Sequence, residues 1–182
     1  MAETHDSRNL LKDHARRLFW SKGFSNVSVR EIATAAGVDV ALIARYFGSK
    51  LGLFEATLDT LKKINPDDFQ TTDSLVELFV EMFANASEED LTEPSPINMV
   101  LVNANDPEVG EIIAKVQNSY WQGGLEVIIG SRARAAMFFG AMMGFSIAQK
   151  TLRLDGVAEV GSDEYRAQFR HMLTTAISSP DF

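Results

Sequence analysis

Cysteine is absent from the 182 residues. That excludes a disulfide framework, a thiolate metal site and a cysteine nucleophile, and it fits a reducing compartment. Long apolar runs are absent too. The longest mainly apolar stretch, Ala135 to Ala148, holds 14 residues, against the roughly 20 that a spanning helix needs. Arg132, Arg134, Lys150 and Arg153 lie close by, as at the solvated ends of a buried helix. The opening MAETHDSRNLLK has no basic stretch followed by an apolar core, so no signal peptide is read. His5, His14 and His171 stand far apart without metal-ligand spacing, and no phosphate-cradling glycine loop is found. These absences point away from an enzyme, a metal, a cofactor or a membrane, and towards a cytoplasmic protein.

What is present is an uneven charge. The net value of −8 argues at first against nucleic acid. Residues 1–64, however, hold ten Lys/Arg against seven Asp/Glu, a net +3, while residues 65–182 hold seven against eighteen, a net −11. A basic head on an acidic body is the asymmetry expected when one end alone meets phosphate. Chance scatter of surface charge would give the same numbers, so charge permits DNA binding without establishing it.

Helical spacing dominates and no strand-like alternation is sustained. The spacing predicts a first helix over Arg8–Lys22, with Leu11, Ala15, Leu18 and Phe19 on one face and Gly23 as a left-handed cap. Ser28-Val-Arg-Glu31 has capping-box spacing, so a short second helix, Val29 to Ala35 or Ala36, follows. Gly37 breaks it, Asp39 caps a third helix over Val40–Phe47, and Gly48 ends that one. Ser49 opens a fourth helix that Asn65-Pro66 closes. Three short helices, the second and third joined by a tight glycine turn, form a helix-turn-helix pattern. Longer candidates follow at Thr72–Ala86, Pro96–Asn103, Asp106–Ile129, Arg132–Leu152 and Asp163–Ile177. The breaks between them hold Ser87-Glu-Glu-Asp90, Pro94-Ser-Pro96, Asn105-Asp-Pro107 and Asp155-Gly156. The fold class is all-α. Residues 1–48 form a three-helix helix-turn-helix head, and residues 49–182 form a larger helical bundle.

Wrapped at 3.6 residues per turn, the third helix puts Ile43 and Phe47 on an inner face with Val38 just before it. Val40, Ala41, Ala44 and Arg45 fall on the opposite face. Arg45 can make a bidentate contact to guanine, and the methyls of Val40, Ala41 and Ala44 can meet thymine methyls. Lys50 stands at a helix N-terminus, where backbone amides also attract anions.

Gly23-Phe24, then Ser28-Val-Arg-Glu-Ile-Ala-Thr-Ala-Ala-Gly-Val38, then Tyr46-Phe47-Gly-Ser-Lys50 resembles the DNA-binding head of the tetracycline-repressor (TetR) family over about residues 8–55. The resemblance implies that Ser28 and Tyr46 hydrogen-bond phosphates, that Lys50 meets a phosphate, and that the third helix enters the major groove of double-stranded DNA. The sequence departs from the family pattern at Asp39, Ala41 and Ala44, where serine or threonine, glycine, and an aromatic or histidine are usual. Asp39 would carry negative charge towards DNA, so it reads as a cap and not as a contact.

In the body, Ala136, Gly140, Gly144 and Ala148 recur every four residues, a smooth stripe on which another helix can approach closely. Phe169, Met172, Leu173 and Ala176 make a second apolar stripe. The resemblance implies that these two helices pair with their copies in a homodimer matched to a palindromic operator. Packing within the chain is the competing reading. The middle helices carry Phe79, Phe83, Met99, Trp121, Phe138, Phe139, Met142 and Met143. In similar proteins such residues line a pocket for a small-molecule effector, here an apolar or amphipathic one, with Asn103 and Gln117 available to orient it. Plain core is the alternative for any one of them. The function expected is a transcription regulator, a repressor that its effector releases. Its rival is a DNA-independent ligand sensor or scaffold with a vestigial head.

Overall fold

A computed structural model describes residues 2–61, 63–85 and 93–178. Every regular element among them is helical. We label these α1 (Ala2–Lys22), α2 (Val29–Ala36), α3 (Ala41–Phe47), α4 (Lys50–Leu58), α5 (Thr72–Ala84), α6 (Pro96–Asn103), α7 (Gly110–Val116), α8 (Gly123–Ile129), α9 (Arg132–Ser146) and α10 (Asp163–Ser178). Ser87-Glu-Glu-Asp90, expected as a loop, lies outside the described residues. The chain divides into two compact units, one drawn from Met1–Lys62 and Thr92–Lys115, the other from Lys63–Leu91 and Val116–Phe182.

The first unit is built on α1. Leu11, Ala15 and Phe19 recur every four residues and are fully buried, whereas Leu18 on the flank is only half-buried. Against them pack Ile32 of α2, Ile43 of α3, and Leu53 and Phe54 of α4. Phe19, Phe24 and Phe54 form a ring cluster with centroids 5.4–5.5 Å apart, a spacing at which edge-to-face contacts add to the area buried. Trp20, also buried, donates its indole N–H to Thr57 at 3.1 Å, and Thr57 donates in turn to the carbonyl of Phe54. α6 packs on α1 in the same unit, burying Met99 and Val100.

Two boundaries differ most from the sequence reading, and the helix expected from Asp106 begins at Gly110. α1 begins at Ala2, six residues before the expected Arg8. α4 stops at Leu58 and does not run to Asn65-Pro66. Beyond it, Thr60 and Leu61 donate to Thr57 and Leu58 in tighter three-residue turns, and the Thr60 hydroxyl bonds back to Thr57. Asn65-Pro66 opens a single turn of 3₁₀-helix instead.

The second unit packs α9 against α8 and α10, and α10 against α5. Its interior is filled ring on ring: Phe79 meets Phe138, Phe83 meets Phe169, and Phe145 stacks on Phe169 at 4.7 Å while touching Tyr165. Burial raises the Tyr165 phenol to about 12. Arg170 pairs with Glu77, and Arg166 with Glu81, tying α10 to α5 along its edge.

The two longest predicted helices each contain a wider π-segment, Gln117–Gln122 and Ile147–Thr151. The first has a visible cause. Tyr120 gives its carbonyl to the amide of Ile64 at 3.0 Å, and the amide of Gly123 reaches five residues back to Asn118. An outside donor inserted into the helical ladder widens it locally. Gly124 is required here, since a Cβ would collide with the carbonyl of Ile64.

Candidate nucleic-acid interface

The helix-turn-helix is assembled from local caps. Ser28 is extended and its hydroxyl accepts the amide of Glu31 at 3.1 Å. The reciprocal half of the expected capping box is diverted: the Glu31 carboxylate takes Lys22 at 2.6 Å instead. That hydrogen bond holds Glu31 below the ordinary glutamate range. At the other end of α2, Gly37 sits at φ +67°, the amide of Val38 reaches back to Ala33, and that of Gly37 to Thr34. A residue with a Cβ would be strained at that angle. Asp39 then accepts the amide of Ala41 at 2.7 Å, so its carboxylate serves as a cap for α3.

α3 has two distinct sides. Ile43 is buried, Phe47 is half-buried, and Val38 is half-buried just ahead of them. Val40, Ala41, Ala44 and Arg45 are exposed together on the opposite side. Small outer side chains beside one long cation let the helix backbone approach a base-pair edge closely. Tyr46 is half-buried, and the Arg45 guanidinium lies 5.9 Å from its ring. Gly48 reverses the chain at φ +76°, and Ser49 caps α4 by accepting the amide of Gly52. Lys50, the first residue of α4, holds its ammonium 4.2 Å above the Phe24 ring. Ser28 uses only an acceptor lone pair in its cap, so its hydroxyl proton can be given to a phosphate oxygen.

One cation here was not singled out from the sequence. Arg8 lies 5.4 Å from the ring of Phe47, at the end of α3. Its signal was the spacing: it sits three residues before the buried Leu11, although Arg8 itself is exposed.

The residues expected around an effector are divided. Met99 and Asn103 lie in the first unit, both buried. The side-chain amide of Asn103 donates to the carbonyls of Phe19 and Met99 and accepts from the amide of Phe24. Phe79, Phe83, Trp121, Phe139, Met142 and Met143 lie in the second. Of these, Phe79 and Met142 are buried, while Trp121 and Phe139 are half-buried and stacked at 5.7 Å. Of the residues expected to pair with a second copy, Ala136, Gly140 and Gly144 are exposed and Ala148 half-buried. A Cβ added at Gly140 or Gly144 would meet nothing within 4 Å. On α10, Phe169, Leu173 and Ala176 are buried in the chain's own core, and Met172 is half-buried. No described helix is long and apolar enough to cross a membrane.

Residues 11–57 match the family of bacterial regulatory proteins described as the tetR family. Over 49 residues the chain is 49% identical to a Bacillus subtilis (strain 168) protein named "Probable HTH-type transcriptional regulator YttP". That match spans 27% of this chain and about a quarter (24%) of the relative's length. Solved structures are similar over nearly the whole chain. A TetR transcriptional regulator from Chloroflexus aurantiacus J-10-fl superposes with a TM-score of 0.64 at 16% identity, covering 98% of this chain and 96% of the other. A protein from Mesorhizobium loti MAFF303099 assigned to the TetR family gives 0.53 at 14% identity, over 96% and 94%. At such identities the likeness is one of fold.

Proposed function

We propose, from the match of its head to the tetR family of bacterial regulatory proteins, that this chain is a transcription repressor that binds a palindromic operator as a homodimer and leaves it when a small molecule binds. The observation that carries the DNA-binding part is the outer side of α3, where Val40, Ala41, Ala44 and Arg45 are exposed together above a buried Ile43. In this reading α3 lies in the major groove and Arg45 reads a guanine. Ser28, Tyr46 and Lys50 hold phosphates on either side. The net charge of +3 in residues 1–64 supports it, and the −11 of the remainder keeps the body away from the duplex.

The exposed stripe of Ala136, Gly140 and Gly144 on α9 supports pairing with a second copy, since close helix approach needs small side chains. For α10 the contribution falls to residues beside the buried Phe169 and Leu173, such as Met172. The half-burial of Trp121, Phe139 and Met143, which leaves apolar surface open, supports their meeting an amphipathic effector.

The test is selection from random duplex DNA, with the winners titrated by fluorescence anisotropy at several salt concentrations. A two-fold symmetric winner with a steep salt slope is the expected result. A folded protein that enriches no sequence at low salt would overturn the operator reading, leaving the helical body as a sensor independent of DNA.

A further inference from the structure

The end of α1 is capped from far along the chain. A helix leaves its last carbonyls without intrahelical partners. Here the Phe19 carbonyl, which also accepts the amide of Gly23 at 3.1 Å, takes the side-chain amide of Asn103 (3.1 Å), and the Trp20 carbonyl takes that of Asn98 (2.7 Å), both from α6. The turn that follows is held by the same segment: the amide of Phe24 donates to Asn103 at 2.7 Å, and that of Ser25 to Asp106 at 3.1 Å. Backbones run close as well, because a Cβ on Gly23 would come within 3.0 Å of the carbonyl of Val102. Asn103 is fully buried, and both ends of its amide are engaged.

Phe24 sits at the centre of this arrangement. Its amide is fixed by Asn103, its ring lies between Phe19 and Phe54, and the Lys50 ammonium rests 4.2 Å above that ring. Four residues further on, Ser28 caps α2. The two groups assigned above to phosphates at opposite ends of the helix-turn-helix are thus both referenced to Phe24, one through the chain and one through the ring.

We propose that Asn103 is a positioning residue for DNA binding: by fixing Phe24 it sets the placement of Ser28 and Lys50 against the phosphate backbone. The inference rests on the DNA-binding reading above. It makes α6, which lies outside the matched residues 11–57, a working part of the head.

The test compares full-length wild type, Asn103→Ala and Asn98→Ala on one duplex across a salt series, with active protein counted by stoichiometric titration. Loss of a phosphate contact lowers the slope of log K against log salt by roughly 0.9. Asn103→Ala is expected to flatten the slope by about one to two such steps per subunit. Asn98→Ala, which releases only the Trp20 carbonyl, is expected to lower the melting temperature and keep the slope. A merely structural Asn103 would reduce active protein and leave the slope untouched. If Asn103→Ala does not fold, Phe24→Leu keeps an apolar side chain, removes the ring beneath Lys50, and is expected to flatten the slope by about one step. A wild-type slope in either folded variant overturns the inference, as does an equal flattening by Asn98→Ala. Absence of salt-dependent binding by wild type itself would instead remove the DNA-binding reading, and this inference with it.

Discussion

Replacing Arg45 with alanine tests the base-reading role proposed for it separately from the stability of the head. Arg45 is exposed on α3, with its guanidinium 5.9 Å from the Tyr46 ring. An exposed cation–π contact of that kind contributes about 0.5–1 kcal/mol at most. Ile43, which anchors α3 in the core, and the caps at Ser28, Asp39 and Ser49 involve other residues. The melting temperature should therefore stay near wild type, and any change in binding reports on the DNA contact. A bidentate arginine–guanine pair discriminates by about 1–3 kcal/mol, which is roughly a 5- to 150-fold loss of affinity for each half-site.

The assay is anisotropy titration of wild type and Arg45→Ala against duplexes that each carry one substituted base pair. The variant should lose affinity for the parent site and become indifferent to the identity of a single guanine in each half. Arg45→Lys keeps the charge but not the planar fork, so it should restore binding to all duplexes alike without restoring that discrimination. Equal losses on every duplex would mean that Arg45 grips phosphate. Unchanged discrimination would remove it from the recognition surface altogether.

Three further outcomes follow from the same structure. Thr57→Val leaves the buried indole N–H of Trp20 without its acceptor, so unfolding in urea should show a loss of about 1–3 kcal/mol with an unchanged m-value. Gly140→Leu places a side chain where nothing lies within 4 Å. The monomer should fold with α9 slightly stabilised, by up to about 1 kcal/mol, while sedimentation shows loss of the proposed dimer; a dimer of unchanged affinity would remove α9 from the proposed interface. Arg170 holds the Glu77 carboxyl below the ordinary glutamate range through its hydrogen bond. A depressed folded-state pKa contributes stability that is present above the unfolded value and lost as pH falls through the folded one. The stability gap between wild type and Glu77→Gln should be small, flat at neutral pH, and should narrow as pH falls below the ordinary glutamate value of about 4.3, closing only below the depressed folded-state value.

The elements that could be read along the chain are those whose determinants are near neighbours in it. Ser28, Gly37, Asp39, Gly48 and Ser49 each act within three or four residues, and each caps or breaks a helix where its spacing said it should. The split of α3 into a buried Ile43 and an exposed Arg45 follows from the helical period alone. Where a residue had a choice of partners, sequence was a poor guide. Glu31 had the spacing to answer its own cap but lies beside Lys22 of the preceding helix, and the charged partner captured it. The π-turn at Tyr120 needed Ile64, more than fifty residues away, to claim a carbonyl that a regular helix would have kept. Asn103 shows the same limit in a more useful form. A polar residue on an apolar helix suggests a group that orients a ligand, and the chemistry of that suggestion is sound: the amide is buried and meets both donors and acceptors. What it meets is the open end of α1. Helix ends need partners as strongly as ligands do, so a buried asparagine far along the chain can be committed to closing its first helix.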